Sequence, residues 1–297
     1  MYDSLALPCR PDDFHQRIYR GQIIAIDAQP AMAELVRFTQ AFLQDAMSAH
    51  HPTHIHRHWT QAQQAEHFTR LQQQFHQAPE VKRLWVTLME SLGLDLAGLA
   101  CDRLHLRFQP PQPTNSSPCR ARATATIAFH RDTWGSNLYA QTNWWAPIYP
   151  ISAGRTFALY PHLWDRPLRN SSAEFDLPAV LERSRTSGRN SVDADQAIPH
   201  LLEAVDSREG QPVVIDPGSI IAFSGAHAHA GVTNRTELTR ISFETRTVWI
   251  DDLRHGRGAP NVDGHATWMS PGFFQRLSDD QRLHQLLGCD YLAPYRC

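Results

Sequence analysis

Pro217-Gly-Ser-Ile-Ile-Ala-Phe-Ser-Gly-Ala-His227-Ala-His229-Ala-Gly-Val-Thr-Asn234 is the stretch on which the fold turns. A Pro-Gly turn leads into an apolar run of strand length, and the run ends on histidines. A histidine at the end of a buried strand is often a core residue with one satisfied nitrogen, so its neighbours must decide its role. Downstream, Thr239 to Ile250 reads as a strand, and Arg240 and Ser242 fall on one of its faces. An arginine and a hydroxyl on a common face can grip a carboxylate, because the guanidinium offers a bidentate fork. Taken alone, such an arginine is more often exposed and paired with a glutamate.

Further upstream, Phe129-His130-Arg131-Asp132 supplies an H-x-D. On a strand, residues separated by one share a face, so an imidazole and a carboxylate there can meet one metal. With 17 histidines in 297 residues, about one H-x-D arises by accident, and an isolated one is usually a solvated pair. The combination is more specific. Two imidazoles and a carboxylate make the facial triad of non-haem iron(II) oxygenases, which leaves metal positions open. The arginine beyond the last histidine is placed to bind a co-substrate that chelates the metal.

Around these motifs the pattern is helices, then strands, then a tail. Ala31 to Met47 and Thr60 to Gln77 carry helical apolar stripes, and Pro79 opens a third helix that Gly93 ends. Leu104, Leu106 and Phe108 alternate with polar residues as in a strand. Strand signals continue at Ala125 to Phe129, Leu138 to Ile151, Arg155 to Tyr160 and Pro212 to Ile215. A Pro/Ser/Asn loop runs from Pro110 to Pro118. Residues 164–211 read as an insertion, with short helices expected at Leu177 to Arg183 and Ile198 to Val205. Its arginines, among them Arg166, Arg183 and Arg189, suit either a lid over an acidic substrate group or a solvated surface. A last amphipathic helix is expected from Pro271 to Leu287. The order lacks βαβ alternation, which argues against a doubly wound sheet. It suits a mostly β fold with flanking helices, built on a double-stranded β-helix (jelly roll, cupin-like) core. The expected layout is one domain over 1–297. It comprises a helical part to residue 100, the core over 101–250 and a tail with a helix over 251–297.

Composition narrows the class. The chain is 42 % hydrophobic and 20 % charged, with net charge −2, so it reads as globular, with no case for nucleic acid or an anionic membrane. No apolar run is long enough to span a bilayer. Met1 to Arg10 has no basic segment followed by an apolar one, so no secretory signal is expected. Five scattered cysteines without CxxC spacing argue against a disulfide framework or a thiolate zinc site. A cytoplasmic setting is the expectation. The histidines between His50 and His58 flank Pro52 and read as a solvated loop. Trp144 and Trp145, adjacent on one strand, must face opposite sides. Arg131 points away from the metal face, to meet either substrate or an acid.

From about Asp102 to Trp249 the chain resembles the phytanoyl-CoA dioxygenase-like branch of the iron(II)/2-oxoglutarate oxygenases. The likeness rests on His130-Arg-Asp132, Asn143-Trp-Trp-Ala-Pro-Ile, Tyr160-Pro161, His229-Ala-Gly-Val-Thr-Asn234 and Arg240-Ile-Ser242. The family's distal ligand stands five residues before the asparagine, which selects His229 over His227. The family's co-substrate arginine stands eleven residues after that ligand, at Arg240. The resemblance implies iron(II) on His130, Asp132 and His229, with 2-oxoglutarate held by Arg240, Ser242 and Trp145. The implied reaction consumes dioxygen, releases succinate and CO2, and hydroxylates a small-molecule substrate. Gly231 stands where the family often has Ser or Thr, and no coenzyme A signature is visible. Halogenases of this fold carry a small residue in place of the carboxylate, so Asp132 argues against that chemistry. The alternative of a different class is a non-catalytic or structural-zinc cupin-like binding protein.

Overall fold

Proline opens three of the first four helices, as its fixed φ and missing N–H allow at a first turn. They are α1 (Pro11–Tyr19), α2 (Pro30–Met47) and α4 (Pro79–Ser91). Between the last two lies α3 (Gln61–Gln77), started by a reciprocal capping box between Thr60 and Gln63. Gly93, at φ +86°, follows α4 in the left-handed region. The computed structural model describes residues 2–112, 123–187 and 196–294.

The helices cover one side of an antiparallel sheet. Its first strands are β1 (Ile24–Ile26), β2 (Leu99–Cys101), β3 (His105–Gln109) and β4 (Gln141–Pro147). A smaller antiparallel sheet contains β5 (Phe157–Leu159), β6 (Gln211–Pro212) and β8 (His229–Gly231). In the larger sheet, β7 (Ile220–Ser224) lies between β1 and β4, while β9 (Arg240–Trp249) pairs with β4, β2 and β3. Two further two-residue strands, β10 (Trp268–Met269) and β12 (Ala293–Pro294), pair with each other, and β11 (Gln275–Arg276) adds to the edge at β2. A mostly antiparallel sheet with flanking helices is therefore what the chain forms. Among the described residues no helix is long and apolar enough to cross a membrane.

Strand alternation distributes the core. Trp144 faces the helices, stacked on Phe14 at 5.4 Å between ring centroids and edge-on to Trp85 at 5.6 Å. Phe68 of α3 stacks on Phe108 of β3 at 4.0 Å. Such aromatic pairs contribute about 0.5–1.5 kcal/mol each beyond their area. Trp145 faces the other way, edge-on to Phe157 at 5.0 Å and in an apolar cluster with Ile221 and Phe223.

Several expectations need correction. Ala125 to Phe129 is not a strand: its backbone meets β8 only at Ile127 and His130. The helix expected over Ile198 to Val205 does not form. Leu201 instead bridges to Asn170, and the Leu202 amide donates to the Arg169 carbonyl at 2.7 Å, so the segment pairs with the 169–170 backbone. The first expected helix of this insertion does form, as α6 (Leu177–Ser187). The tail helix over Pro271 to Leu287 is replaced by a 3-10 turn, β11 and a short α8 (Leu283–Leu287). The polar Ser278-Asp279-Asp280 segment breaks it, with Asp280 at φ 63°. His50 to His58 is more than a solvated loop. Pro52–Arg57 forms a 3-10 turn with Ile55 buried, and the Thr53 carbonyl accepts from the Thr239 amide at 2.7 Å. The 110–118 loop lies mostly outside the described residues, as do Arg189, Cys119 and Cys297.

One core residue makes stability depend on pH. His15 is buried between Phe14, Tyr19 and Trp249, with neither ring nitrogen hydrogen-bonded among the described residues. Burial pushes its pKa down to about 4. Above pH 6.5 the ring is neutral in both folded and unfolded chains. Between 6.5 and 4 only the unfolded chain takes the proton, so stability falls as pH drops through that window, by on the order of 3 kcal/mol for this residue. Urea unfolding at pH 7 and pH 5 should show the fall, and His15→Phe should make it shallower. An equal pH dependence in His15→Phe would remove His15 as a source.

Candidate metal centre and its cavity

His130 and His229 exchange both backbone hydrogen bonds, at 3.0 and 2.9 Å, in an isolated antiparallel bridge. Their rings lie 4.2 Å apart between centroids. The H-x-D is not on a strand, contrary to expectation. Asp132 is the first residue of a one-turn helix, α5 (Asp132–Gly135), and its amide donates to the Gly225 carbonyl at 2.9 Å. This bend still brings one ligand atom each from His130, Asp132 and His229 within 4.8 Å of one another. His130 Nε2 stands 3.4 Å from Asp132 Oδ1. Among the described residues no other group of three such side chains could hold a metal ion.

The side chains are oriented from behind. Nδ1 of His130 lies 2.9 Å from the Ala128 carbonyl, and Nδ1 of His229 lies 3.0 Å from the His227 carbonyl. Carbonyls only accept, so each Nδ1 carries the proton and each Nε2 keeps a lone pair for a metal. Oδ2 of Asp132 accepts from Asn143 at 2.5 Å and from Gln141 at 3.0 Å, which leaves Oδ1 towards the histidines. Burial alone would raise the Asp132 carboxyl, but the His130 contact and the neighbouring imidazoles hold it well below the usual range. Burial, with His130 alongside, pushes His229 down to about 4, so its ring is neutral near pH 7. A deprotonated carboxylate and a neutral imidazole are the forms that bind a cation.

A cavity of about 240 Å³ opens onto these three side chains. Trp145, Phe157 and Phe223 form an apolar wall, and Arg240, Glu244 and Arg246 of β9 line another part. Ala197 and Ile198, within the insertion, also reach it. Arg240 is 8 % exposed, and its Nε and Nη1 have no hydrogen-bond partner among the described residues. Burial lowers its pKa to about 10, so the group stays charged at neutral pH. An unpaired buried guanidinium is costly unless an anion meets it. Ser242 sits one pleat along, fully buried, with its hydroxyl also unpartnered among the described residues, but it does not line the cavity.

His227 lies outside the cluster. It is fully buried, with Nε2 3.1 Å from the Gly21 carbonyl and its ring tilted against Trp164 at 4.5 Å. Gly231 has a steric reason. A Cβ there would stand 2.8 Å from Thr126 Cγ2 and 3.1 Å from the Ile127 amide, so the crossing segment excludes a larger residue. Sequence reasoning missed Gln141 and Asn143 as anchors of Asp132. Their spacing of two on a strand, nine and eleven residues beyond a candidate ligand, was the available signal.

Arg131 meets an acid and not a substrate. It is 1 % exposed, its Nε lies 3.2 Å from Asp263 Oδ2, and it donates to the Ala226 and Leu163 carbonyls at 2.5 and 2.6 Å. Asp263 also accepts from Trp134 Nε1 at 2.7 Å and the Leu168 amide at 3.1 Å.

No family profile matches the chain, and no curated protein matches it by sequence. Solved structures do resemble it at low identity. EvdO2 from Micromonospora carbonacea var. aurantiaca is 14 % identical at TM-score 0.43, covering 84 % of this chain and 94 % of that one. The epimerase SnoN, in complex with Fe3+, alpha ketoglutarate and nogalamycin RO, is 13 % identical at TM-score 0.42, covering 80 % and 82 %. The apo form of ThoJ, a non-heme monooxygenase, is 14 % identical at TM-score 0.39, covering 80 % and 78 %.

Removing one partner of the Arg131–Asp263 pair leaves a buried charge uncompensated, at a cost of about 3–5 kcal/mol. Arg131→Met should lower the urea midpoint accordingly, and adding Asp263→Leu should restore much of the loss. Single and double variants with equal midpoints would show that the pair is not coupled.

Proposed function

We propose that the chain is a non-haem iron(II)- and 2-oxoglutarate-dependent oxygenase of the phytanoyl-CoA dioxygenase-like family, acting as a hydroxylase on a small metabolite or natural-product intermediate. On this reading residues 1–297 form a single domain around a jelly-roll core. The observation that carries the reading is one cavity holding both a His-Asp-His cluster and an unpartnered buried arginine. The donor set fits iron(II), and the vacant hydrogen-bonding capacity of Arg240 fits a carboxylate. A structural zinc site or a non-catalytic binding barrel gives no reason for that arginine.

His130, Asp132 and His229 would hold the metal. Arg240 would grip the distal carboxylate of 2-oxoglutarate, with Ser242 beside it and Trp145 on the wall. Iron(II), when bound with the 2-oxo acid and dioxygen, supplies the oxidising power, with succinate and CO2 as products. The protein's contribution is placement. Gln141 and Asn143 fix Asp132 through one oxygen. The backbone pair between the histidines sets their spacing, and the wall of Trp145, Phe157 and Phe223 keeps the cavity apolar beside the charged groups.

Anaerobic titration with iron(II) and 2-oxoglutarate tests this reading, since the chelate gives a weak visible charge-transfer band. The wild type should develop the band, and His130→Ala, Asp132→Ala and His229→Ala should each lose it together with succinate formation. His227→Ala should retain turnover. Arg240→Ala should still bind iron(II) but raise the co-substrate constant about 30-fold to several thousand-fold, from a loss of roughly 2–5 kcal/mol. Arg240→Lys keeps the charge without the fork and should fall between. A wild type with no band, or an Arg240→Ala with unchanged co-substrate affinity, would overturn the assignment.

A further inference from the structure

Beside the apolar wall, on the same sheet, the cavity carries more charge than the metal and co-substrate need. On β3 and β9, Arg107 donates to Glu244, and Arg246 donates to Asp102. The side chains of Arg107, Glu244 and Arg246 are 23 %, 25 % and 32 % exposed and line the cavity, whereas Asp102 is 4 % exposed and shut behind it. Each pair uses only part of its capacity. Among the described residues, the remaining donors of both guanidiniums and the second oxygen of Glu244 have no hydrogen bond.

The charges of the site, on the oxygenase reading above, limit what this wall can take. Iron(II), the Asp132 carboxylate, the doubly negative co-substrate and the Arg240 guanidinium sum to zero. The two remaining ion pairs are also neutral. A net-charged substrate would therefore sit in the cavity without a counter-charge, which costs more where groups are partly withdrawn from water. A wholly apolar substrate would leave the wall unexplained, because replacing buried ion pairs with apolar residues is often neutral or stabilising. A molecule carrying both charges fits. Glu244 and Arg246 stand two residues apart on one face of β9, about 7 Å along the strand. Their side chains can converge on an ammonium and a carboxylate a few bonds apart.

We propose that the primary substrate is a small zwitterion, an amino acid or a related amine–carboxylic acid. Its ammonium is met by Glu244, and its carboxylate is met by Arg246 with Arg107 alongside. Both contacts are charge-assisted, and each orients the substrate over the metal face without changing the net charge of the cavity.

The test uses the full chain loaded anaerobically with iron(II) and 2-oxoglutarate, after the chelate band has formed. The probes are α-, β- and γ-amino acids and their N-trimethylated forms, each paired with its amide and its N-acetyl derivative. Binding is read from tryptophan fluorescence, to which Trp145 reports, and coupling from succinate formation in air. At least one zwitterion should bind and stimulate succinate formation. Its amide and N-acetyl derivatives should each bind about 30-fold more weakly or worse, as for the loss of a buried charged contact. Glu244→Gln should weaken the zwitterion more than the matching carboxylic acid that lacks the amine. Derivatives that bind as tightly as the parent, or a panel in which no zwitterion binds to protein showing the band, would overturn the proposal. A protein that never shows the band fails the underlying reading, and the zwitterion proposal fails with it.

Discussion

The reciprocal backbone pair between His130 and His229 is the constraint on which the site depends. Two amides and two carbonyls at 3.0 and 2.9 Å fix the spacing of the two imidazoles before either side chain chooses a rotamer. The neighbouring carbonyls of Ala128 and His227 then set both ring tautomers. Asp132 joins because the chain turns into a helical turn at that residue, and the Gly225 carbonyl accepts its amide. The turn at Gly225 to His227 links β7 to β8, so the larger and smaller sheets meet where the three side chains converge. A strand would also have put His130 and Asp132 on one face. The observed bend does so with an irregular backbone, held by bonds to the turn that follows β7.

Such a backbone needs support, and Arg131 supplies it from the opposite side. Its guanidinium ties the turn at Ala226, the 3-10 turn after β5 and the tail carboxylate of Asp263 into one buried knot. Asp263 extends that knot to Trp134 and to the start of the insertion at Leu168. The tail after β9 thus neutralises the charge that holds the metal loop. The cost of burying that charge is offset only while every member is present, which makes the loop's geometry cooperative with the tail.

Much of this was legible from periodicity. The α2, α3 and α4 stripes and the β3 and β9 runs announce themselves because each buries one face against a large partner, while β7 shows as a continuous apolar run buried on both faces. Trp144 and Trp145 separate to opposite faces because strand geometry forces it. The illegible parts are those where tertiary bonds replaced local preference. Ala125 to Phe129 reads like a strand, yet its backbone meets β8 only at Ile127 and, just beyond it, at His130. Pro271 to Leu287 has a helical stripe, yet three polar residues in its middle favour a turn that sets β11 against β2. The anchors Gln141 and Asn143 were hidden for a different reason. Neutral amides carry no metal signature, and their role exists only because β4 passes behind Asp132.

Gly231 shows how closely the site is packed and why substitution there is not free. The segment carrying Thr126 and Ile127 crosses over it to reach His130, with the Gly231 amide donating to the Ile127 carbonyl at 2.9 Å. A hydroxyl-bearing residue at 231 would have to push that segment outward, and the segment is the approach to a metal-facing histidine. A glycine at this position therefore keeps the crossing segment, and with it the backbone pair, in place. What remains for a carboxylate is the guanidinium of Arg240, buried and without a partner for its Nε and Nη1 among the described residues. A buried, unpaired cation of this kind is stable only if the rest of the fold holds it in place. Arg240 is so held: it begins β9, in register with Gln109 of β3, and Asn234 just before it donates to the Gln109 carbonyl at 2.9 Å. Backbone pairing thus sets where the arginine starts, and no ion pair holds its guanidinium among the described residues, although the Glu244 carboxylate attracts it.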